Sequence, residues 1–190
     1  VIESGKLGRV VQICITNHGF GRRWDWQTLQ KYGGGTLNNT GPHVIDQAVQ
    51  FLHEKEPEVW CHLDRALTLG DADDHVKLIL RALGEPVLDI EITAACAYAR
   101  EHWLVMGTRG TLSGSAAGMR LKRLEESKQV GHVLDESPTP DRSYNRDDIA
   151  WEPEEAWSAK DDPGPGQAQF YVDLYETLRH GAPLAITPES

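Results

Sequence analysis

The stretch GGGTLNNTGPHVIDQ, Gly33 to Gln47, gathers the residue types in this chain best suited to moving a proton. Pro42 fits the first position of a helix, which puts His43 in the first turn and Asp46 three residues on, along the same face. A neutral imidazole there can accept a proton from an alcohol, and Asp46 can orient the ring or the helix end. Asn39 supplies a donor and an acceptor and carries no charge. Three glycines before it let backbone and ligand come close. The same residues also fit a capping loop whose histidine bonds to backbone, so the pattern leaves both uses open.

Other constellations say less. Arg22 to Trp26, RRWDW, offers Arg23, Trp24 and Trp26 as cation and aromatic faces for a sugar or an anion, or else as tryptophans that anchor a loop. The HGFG segment contains Gly19-x-Gly21, but Trp24 stands where a dinucleotide fingerprint needs its third glycine. GTRGTLSGS lacks the lysine of a phosphate loop and reads as a turn. The eight histidines include no HExxH and no close pair with a carboxylate at ligand spacing, which argues against a metal site. Nothing resembles a GxSxG or Cys/His nucleophile.

Bulk properties narrow the class. At 190 residues and 39% hydrophobic, the chain suits one domain over residues 1–190. A net charge of -10 repels phosphates, so no nucleic-acid partner is expected. No apolar run approaches the ~20 residues that cross a bilayer, and no basic-then-apolar signal opens the chain. Cys14, Cys61 and Cys96 each sit in an apolar segment and read as buried free thiols of a reducing, cytoplasmic compartment. The chain opens at Val1 without methionine and closes on AITPES, where Thr187, Pro188 and Glu189 announce a helix. Both ends suggest a piece of a longer protein.

These residues need a scaffold. GRVVQICIT alternates, with Val11, Ile13 and Ile15 on one face, and predicts a strand. A polar, aromatic loop with a short helical turn follows, then a helix from Pro42 with Val44, Ile45, Ala48, Val49 and Leu52 as its apolar stripe. Glu58 to Leu69 returns to strand character. The segment from Val76 to Cys96 predicts two strands joined around GEP, and EHWLVMGTRGTLSGS another strand with a glycine-rich turn. Leu134 to Gly166 is acidic and proline-rich, an irregular excursion pinned by Trp151 and Trp157. QAQFYVDLYETLRHG predicts an amphipathic helix with Phe170, Tyr171, Leu174 and Leu178 inward and Gly181 past its end. The class is α+β with a largely antiparallel sheet. So few helices leave one sheet face open, which predicts a homo-dimer or higher assembly through that face.

Taken in order, GGGTLNNTGPHVIDQAVQFL, DDHVKLILRALGEPVLDIEIT, GTRGTL and FYVDLYETLRHGAPLAITPES resemble the C-terminal domain of the Gfo/Idh/MocA oxidoreductases over nearly the whole chain. That resemblance implies a glyceraldehyde-3-phosphate-dehydrogenase-like open-faced mixed sheet with helices on one face. It also implies a separate N-terminal Rossmann domain that binds NAD or NADP, and a sugar, cyclitol or related alcohol or carbonyl as substrate. His43 matches the family's D-x-G-x-H histidine and Asp46 its following aspartate, while a lysine from the other domain would meet His43 at the reacting oxygen. Asn39 stands where the motif has aspartate, so it can hold a hydroxyl or a water and cannot support an imidazolium by charge. Arg23, Trp24, Trp26 and Asp46 remain candidates for substrate contact. Asn39 also motivates an alternative, a non-catalytic binding or assembly module on the same scaffold.

Overall fold

Apolar side chains alternate along the paired segments from His75 to Thr93, burying Val76, Leu78 and Leu80 beside Leu88, Ile90 and Ile92. Each such side chain contributes about 1.5–3 kcal/mol on burial. The structure is a computed structural model and describes residues 1–53, 55–138, 144–158, 160, 166, 168–184 and 187. Among these, eight strands form one sheet: β1 (Val10–His18), β2 (Glu58–Asp64), β3 (His75–Arg81), β4 (Val87–Thr93), β5 (Trp103–Gly107), β6 (Gly110–Ser115), β7 (Gly118–Arg123) and β8 (Glu155–Ser158). Their order is β2-β3-β4-β1-β5-β6-β7-β8. β1 lies parallel to β4 and antiparallel to β5, and the remaining neighbours are antiparallel.

The expected α+β class and open mixed sheet hold. Two helices, α1 (Thr36–Asn39) and α2 (Gly41–Val49), lie on one face against β3 and β4. Val44, Ala48 and Leu52 fill the gap between helix and sheet, as their spacing predicts. The hairpin around GEP turns through Gly84 at φ 81, a left-handed conformation that suits glycine. No helix among the described residues is long and apolar enough to cross a membrane.

The opposite face carries charge at its centre. Lys77 bonds the carboxylates of Asp89 and Glu91, and Arg100 reaches Glu91 at 3.1 Å. Burial opposes ionisation of Glu91, but these cations outweigh it and hold its carboxyl below the usual range. His18 is buried beside them, with Nε2 3.0 Å from Glu91 Oε1 but not aligned for a hydrogen bond. The Arg100 N–H donates to His18 Nδ1 at 3.3 Å, so the ring proton sits on Nε2. Burial pushes His18 below the ordinary imidazole value despite the pull of Glu91.

Several expectations need correction. A register shift between Val10 and Gln12 turns Val11 outward, 43% exposed, instead of alongside Ile13 and Ile15. Cys14 is buried, but Cys61 is exposed because β2 is the sheet edge, and Cys96 is partly buried in a loop. The excursion from Leu134 contains β8, which pairs with β7 and places Trp157 against the core. Trp151 does pin the chain, through a bridge to Leu124 with the Lys122 ammonium 4.7 Å above its ring. The helix α3 (Ala168–His180) forms and ends before Gly181 at φ 69, yet buries none of its residues; Phe170, Tyr171 and Leu178 face solvent. Pro188 and Glu189 lie outside the described residues.

The turn from Arg65 to Asp73, between β2 and β3, is organised by one buried carboxylate. Asp74 accepts from the N–H groups of Ala66 at 2.6 Å, Leu67 at 2.8 Å and Thr68 at 2.6 Å. Burial alone would raise its pKa, but these three donors win and hold the carboxyl below the usual value. Such a group contributes stability that is present above the unfolded carboxyl value of about 3.9 and lost as pH falls through the lower folded value. Asp74→Asn, which sets an amide N–H₂ against backbone donors, is expected to cost about 2–4 kcal/mol at pH 7. Urea midpoints followed down to pH 3 should fall more steeply for the native chain than for this variant, closing part of the gap.

Candidate functional site

The candidate residues sit where two loops meet the start of the helical layer. Gly33 ends a 3-10 turn at φ 70, and Gly35 enters α1 at φ 115. The Asp73 carboxylate accepts from Leu37 N at 2.8 Å, and its carbonyl accepts from Thr36 N at 2.9 Å, so Asp73 caps α1 from across the fold. A side chain at Gly35 would overlap that carboxylate, and one at Gly34 would overlap the Gln27 carbonyl. These two glycines thus serve loop closure rather than the close approach of a ligand. Asn38 adds to it, donating to the carbonyls of Gly33 and Gly34 at 3.3 and 3.4 Å.

The second loop is tied to the first. Asp25 accepts from Gln27 N at 2.9 Å and starts a 3-10 turn, Trp26–Thr28. Arg23 forms a two-pronged pair with Asp25, both contacts at 2.9 Å, and bonds Gln27 as well. The Thr28 carbonyl accepts from Ala72 N at 3.0 Å, with Gly70 so near that a side chain there would strike it. Leu69 N reaches the Arg23 carbonyl at 3.1 Å.

Between them lies a polar cleft of about 50 Å³, lined among others by Arg23, Gln27, Thr36, Asn39, Thr68 and Asp73. That volume takes a water or a hydroxyl group, not a whole sugar ring. Its lining offers both donors and acceptors: Arg23 is paired with Asp25, and Asp73, the Asn39 amide and the threonine hydroxyls are groups that suit a hydroxyl, which both donates and accepts.

The structure brings Asn39 and Arg23 to this cleft and leaves the other candidates outside it. His43 and Asp46 are exposed on α2, one turn beyond Asn39 and away from buried Val44 and Ala48. His43 does not open its helix in isolation, because α1 and Thr40 precede α2 in helical geometry. Trp24 and Trp26 project into solvent and do not anchor the loop. Gln27, Thr36, Thr68 and Asp73 went unnoticed in the sequence; the acidic run DADD after Gly70 was the available signal for Asp73. No dinucleotide cradle fits: β1 runs into a bridge from Phe20 to Ala95, and among the described residues no strand, glycine turn and helix follow one another as a fingerprint needs.

Comparison with known proteins bears on this geometry. The family model for the GFO/IDH/MocA C-terminal domain matches residues 1–113. A solved NAD-binding protein from Listeria innocua is 20% identical, with a TM-score of 0.70 over 99% of this chain and 54% of its own. An oxidoreductase from Bacillus cereus is 18% identical, with a TM-score of 0.65 over 100% of this chain and 55% of its own. An NAD-binding oxidoreductase from Klebsiella pneumoniae is 24% identical, with a TM-score of 0.55 over 67% and 39%. At these identities the likeness is one of fold. The chain spans about half the length of the first two structures. Among curated proteins none matches.

The glycine geometry is directly testable. Gly35→Ala meets both a positive φ and the Asp73 carboxylate and is expected to cost about 1–3 kcal/mol. Gly19→Ala, where an added methyl meets open space, should stay within about 0.5 kcal/mol of the native chain. Equal urea midpoints for the two variants would remove Asp73 as the fixed point of α1.

Proposed function

The chain belongs to the GFO/IDH/MocA C-terminal domain family, and from that premise we propose that it is the substrate-binding and oligomerisation domain of an NAD(P)-dependent oxidoreductase. The substrate class is a sugar, cyclitol or related alcohol or carbonyl compound. The observation that carries this reading is the polar cleft at Asn39, sized for a hydroxyl, with His43 one helical turn away on an exposed surface. Asn39 and Arg23 hold the hydroxyl-bearing end of the substrate. His43 takes the hydroxyl proton as the alcohol becomes a carbonyl and returns it in the reverse direction. Asp46, three residues on, orients the imidazole or a substrate hydroxyl, and Trp24 and Trp26 contact the rest of the molecule. We assign NAD or NADP to a nucleotide-binding domain elsewhere in the parent protein, so the isolated domain is inactive.

The open sheet face is the surface we assign to self-association. It exposes Trp60, 57% accessible on the edge strand β2, around the charged centre formed by Lys77, Asp89, Glu91 and Arg100. A second reading, a non-catalytic binding or assembly module, draws on Asn39 in the place of the motif's aspartate.

In the full-length parent, His43→Ala is expected to lower turnover by about 100-fold or more with little change in substrate binding, because a general base acts in the transition state. Asn39→Ala should weaken binding and turnover together. Asn39→Asp should move the rising limb of the pH–rate profile to higher pH, since a carboxylate beside the ring favours imidazolium. Steady-state kinetics with each nicotinamide cofactor across pH decides it: near-native turnover in His43→Ala removes the base, and no cofactor-dependent activity in the parent favours the module. Sedimentation at high concentration should give a dimer or larger species, and a clean monomer would end the assignment of the open face.

A further inference from the structure

The loop from Gly21 to Gly35 displays three large rings that bury little of their surface. Trp24 is 75% exposed, Trp26 61% and Tyr32 57%. The backbone beneath them is nonetheless fixed. Thr28 N donates to the Asp25 carbonyl at 3.0 Å, Gln30 N to the Asp71 carboxylate at 2.8 Å, and Gly35 N to the Gln27 carbonyl at 2.9 Å. Hydrogen bonds and close glycine contacts order this loop, so the rings are not its anchors. They are apolar faces held in place before any ligand arrives, which lowers the ordering cost of binding.

Two further facts connect the rings to the cleft. Trp26 and Tyr32 line a shallow depression of about 440 Å³, and Gln27, the next residue of the same turn as Trp26, lines the polar cleft with Arg23 and Asn39. That cleft holds about 50 Å³, so most of any ligand with a hydroxyl seated there must lie over the surface beside it. Polar groups lie next to the rings: the Lys31 ammonium sits over one face of Tyr32, 4.8 Å from its centroid, and the Arg23–Asp25 pair immediately precedes Trp26 in the chain. Flat apolar faces bordered by charged hydrogen-bonding groups match a pyranose, whose C–H faces stack while its hydroxyls bond at the rim.

We propose that Trp26 and Tyr32 form a second sugar-ring subsite beside the Asn39 cleft, so that the substrate is a disaccharide or glycoside whose reacting ring reaches Asn39 and whose neighbouring ring stacks on this shelf. The inference rests on the sugar reading above and extends it to the size of the substrate.

The test uses the 190-residue chain with methyl pyranosides and with 1,4- and 1,6-linked disaccharides of gluco, galacto and manno configuration. Tryptophan fluorescence and saturation-transfer NMR give the affinities. At least one disaccharide is expected to bind about tenfold more tightly than its methyl monosaccharide, the scale of one aromatic stacking contact. Tyr32→Ala should remove that increment and leave monosaccharide binding unchanged, and Trp26→Ala should remove it as well, while Trp26→Phe retains it. Matching urea midpoints check that the variants are folded. Equal affinities for mono- and disaccharides, or an increment that survives both alanine substitutions, overturns the shelf and leaves the sugar reading standing. Binding of no saccharide overturns both. A self-associated species that Trp26→Ala dissociates, with saccharide affinities unmoved, gives the rings to a contact between copies and also overturns the proposal.

Discussion

Two adjacent carboxylates, Asp73 and Asp74, hold the candidate site from opposite sides. As the chain enters β3 their side chains diverge, and each accepts backbone donors that no regular element serves. Asp74 fixes the turn at 66–68, and that turn presses Gly70 and Ala72 onto Thr28 and holds the loop that carries Arg23 and Gln27. Asp73 fixes α1, which carries Asn39 and leads into α2 with His43. Two walls of the polar cleft therefore trace in part to one dipeptide. Because the constraint acts on main chain, the cleft is shaped before any side chain engages a ligand.

What the sequence reveals of this depends on how local each cause is. The β3–β4 hairpin and the α2 stripe are legible because burial imposes periods of two and 3.6 on neighbouring residues. The bulge at Val11 is not, since an extra residue leaves no mark on composition. β8 is hidden in an acidic, proline-rich stretch because its four residues become a strand only through β7. α3 has the expected pattern without burying its face, since periodicity shows that a face is apolar and not what lies against it. In the site, Pro42 and the glycines point to the helix with Asn39 and His43. The carboxylate that caps α1 stands 36 residues from its donor, a separation no local pattern encodes. The tryptophans of RRWDW read equally as anchors or as a surface, and only their exposure separates the two.

The open sheet face has the opposite design to the cleft. Where the cleft is built from backbone donors, this face is built from side chains: one lysine and one arginine against two carboxylates, with neutral His18 beneath. The charges balance, so the centre neither attracts nor repels a partner strongly by net charge. The pairs are satisfied within the chain, so they tie β3 to β4 and hold Arg100 against β4.

The position of β1 has a consequence for how the chain is made. It is the first strand in sequence and lies near the middle of the sheet, between β4 and β5. Ile15 pairs with Ile90 on one side and Trp103 on the other, so β1 stays unpaired until β4 has left the ribosome and half-paired until β5 has followed. The β3–β4 hairpin has only the 82–86 turn to close and can form as soon as β4 emerges, without waiting for β5. An apolar strand thus waits for both its neighbours to emerge, and the interval in which it is most exposed to misassociation is set by the distance from Ile15 to Trp103.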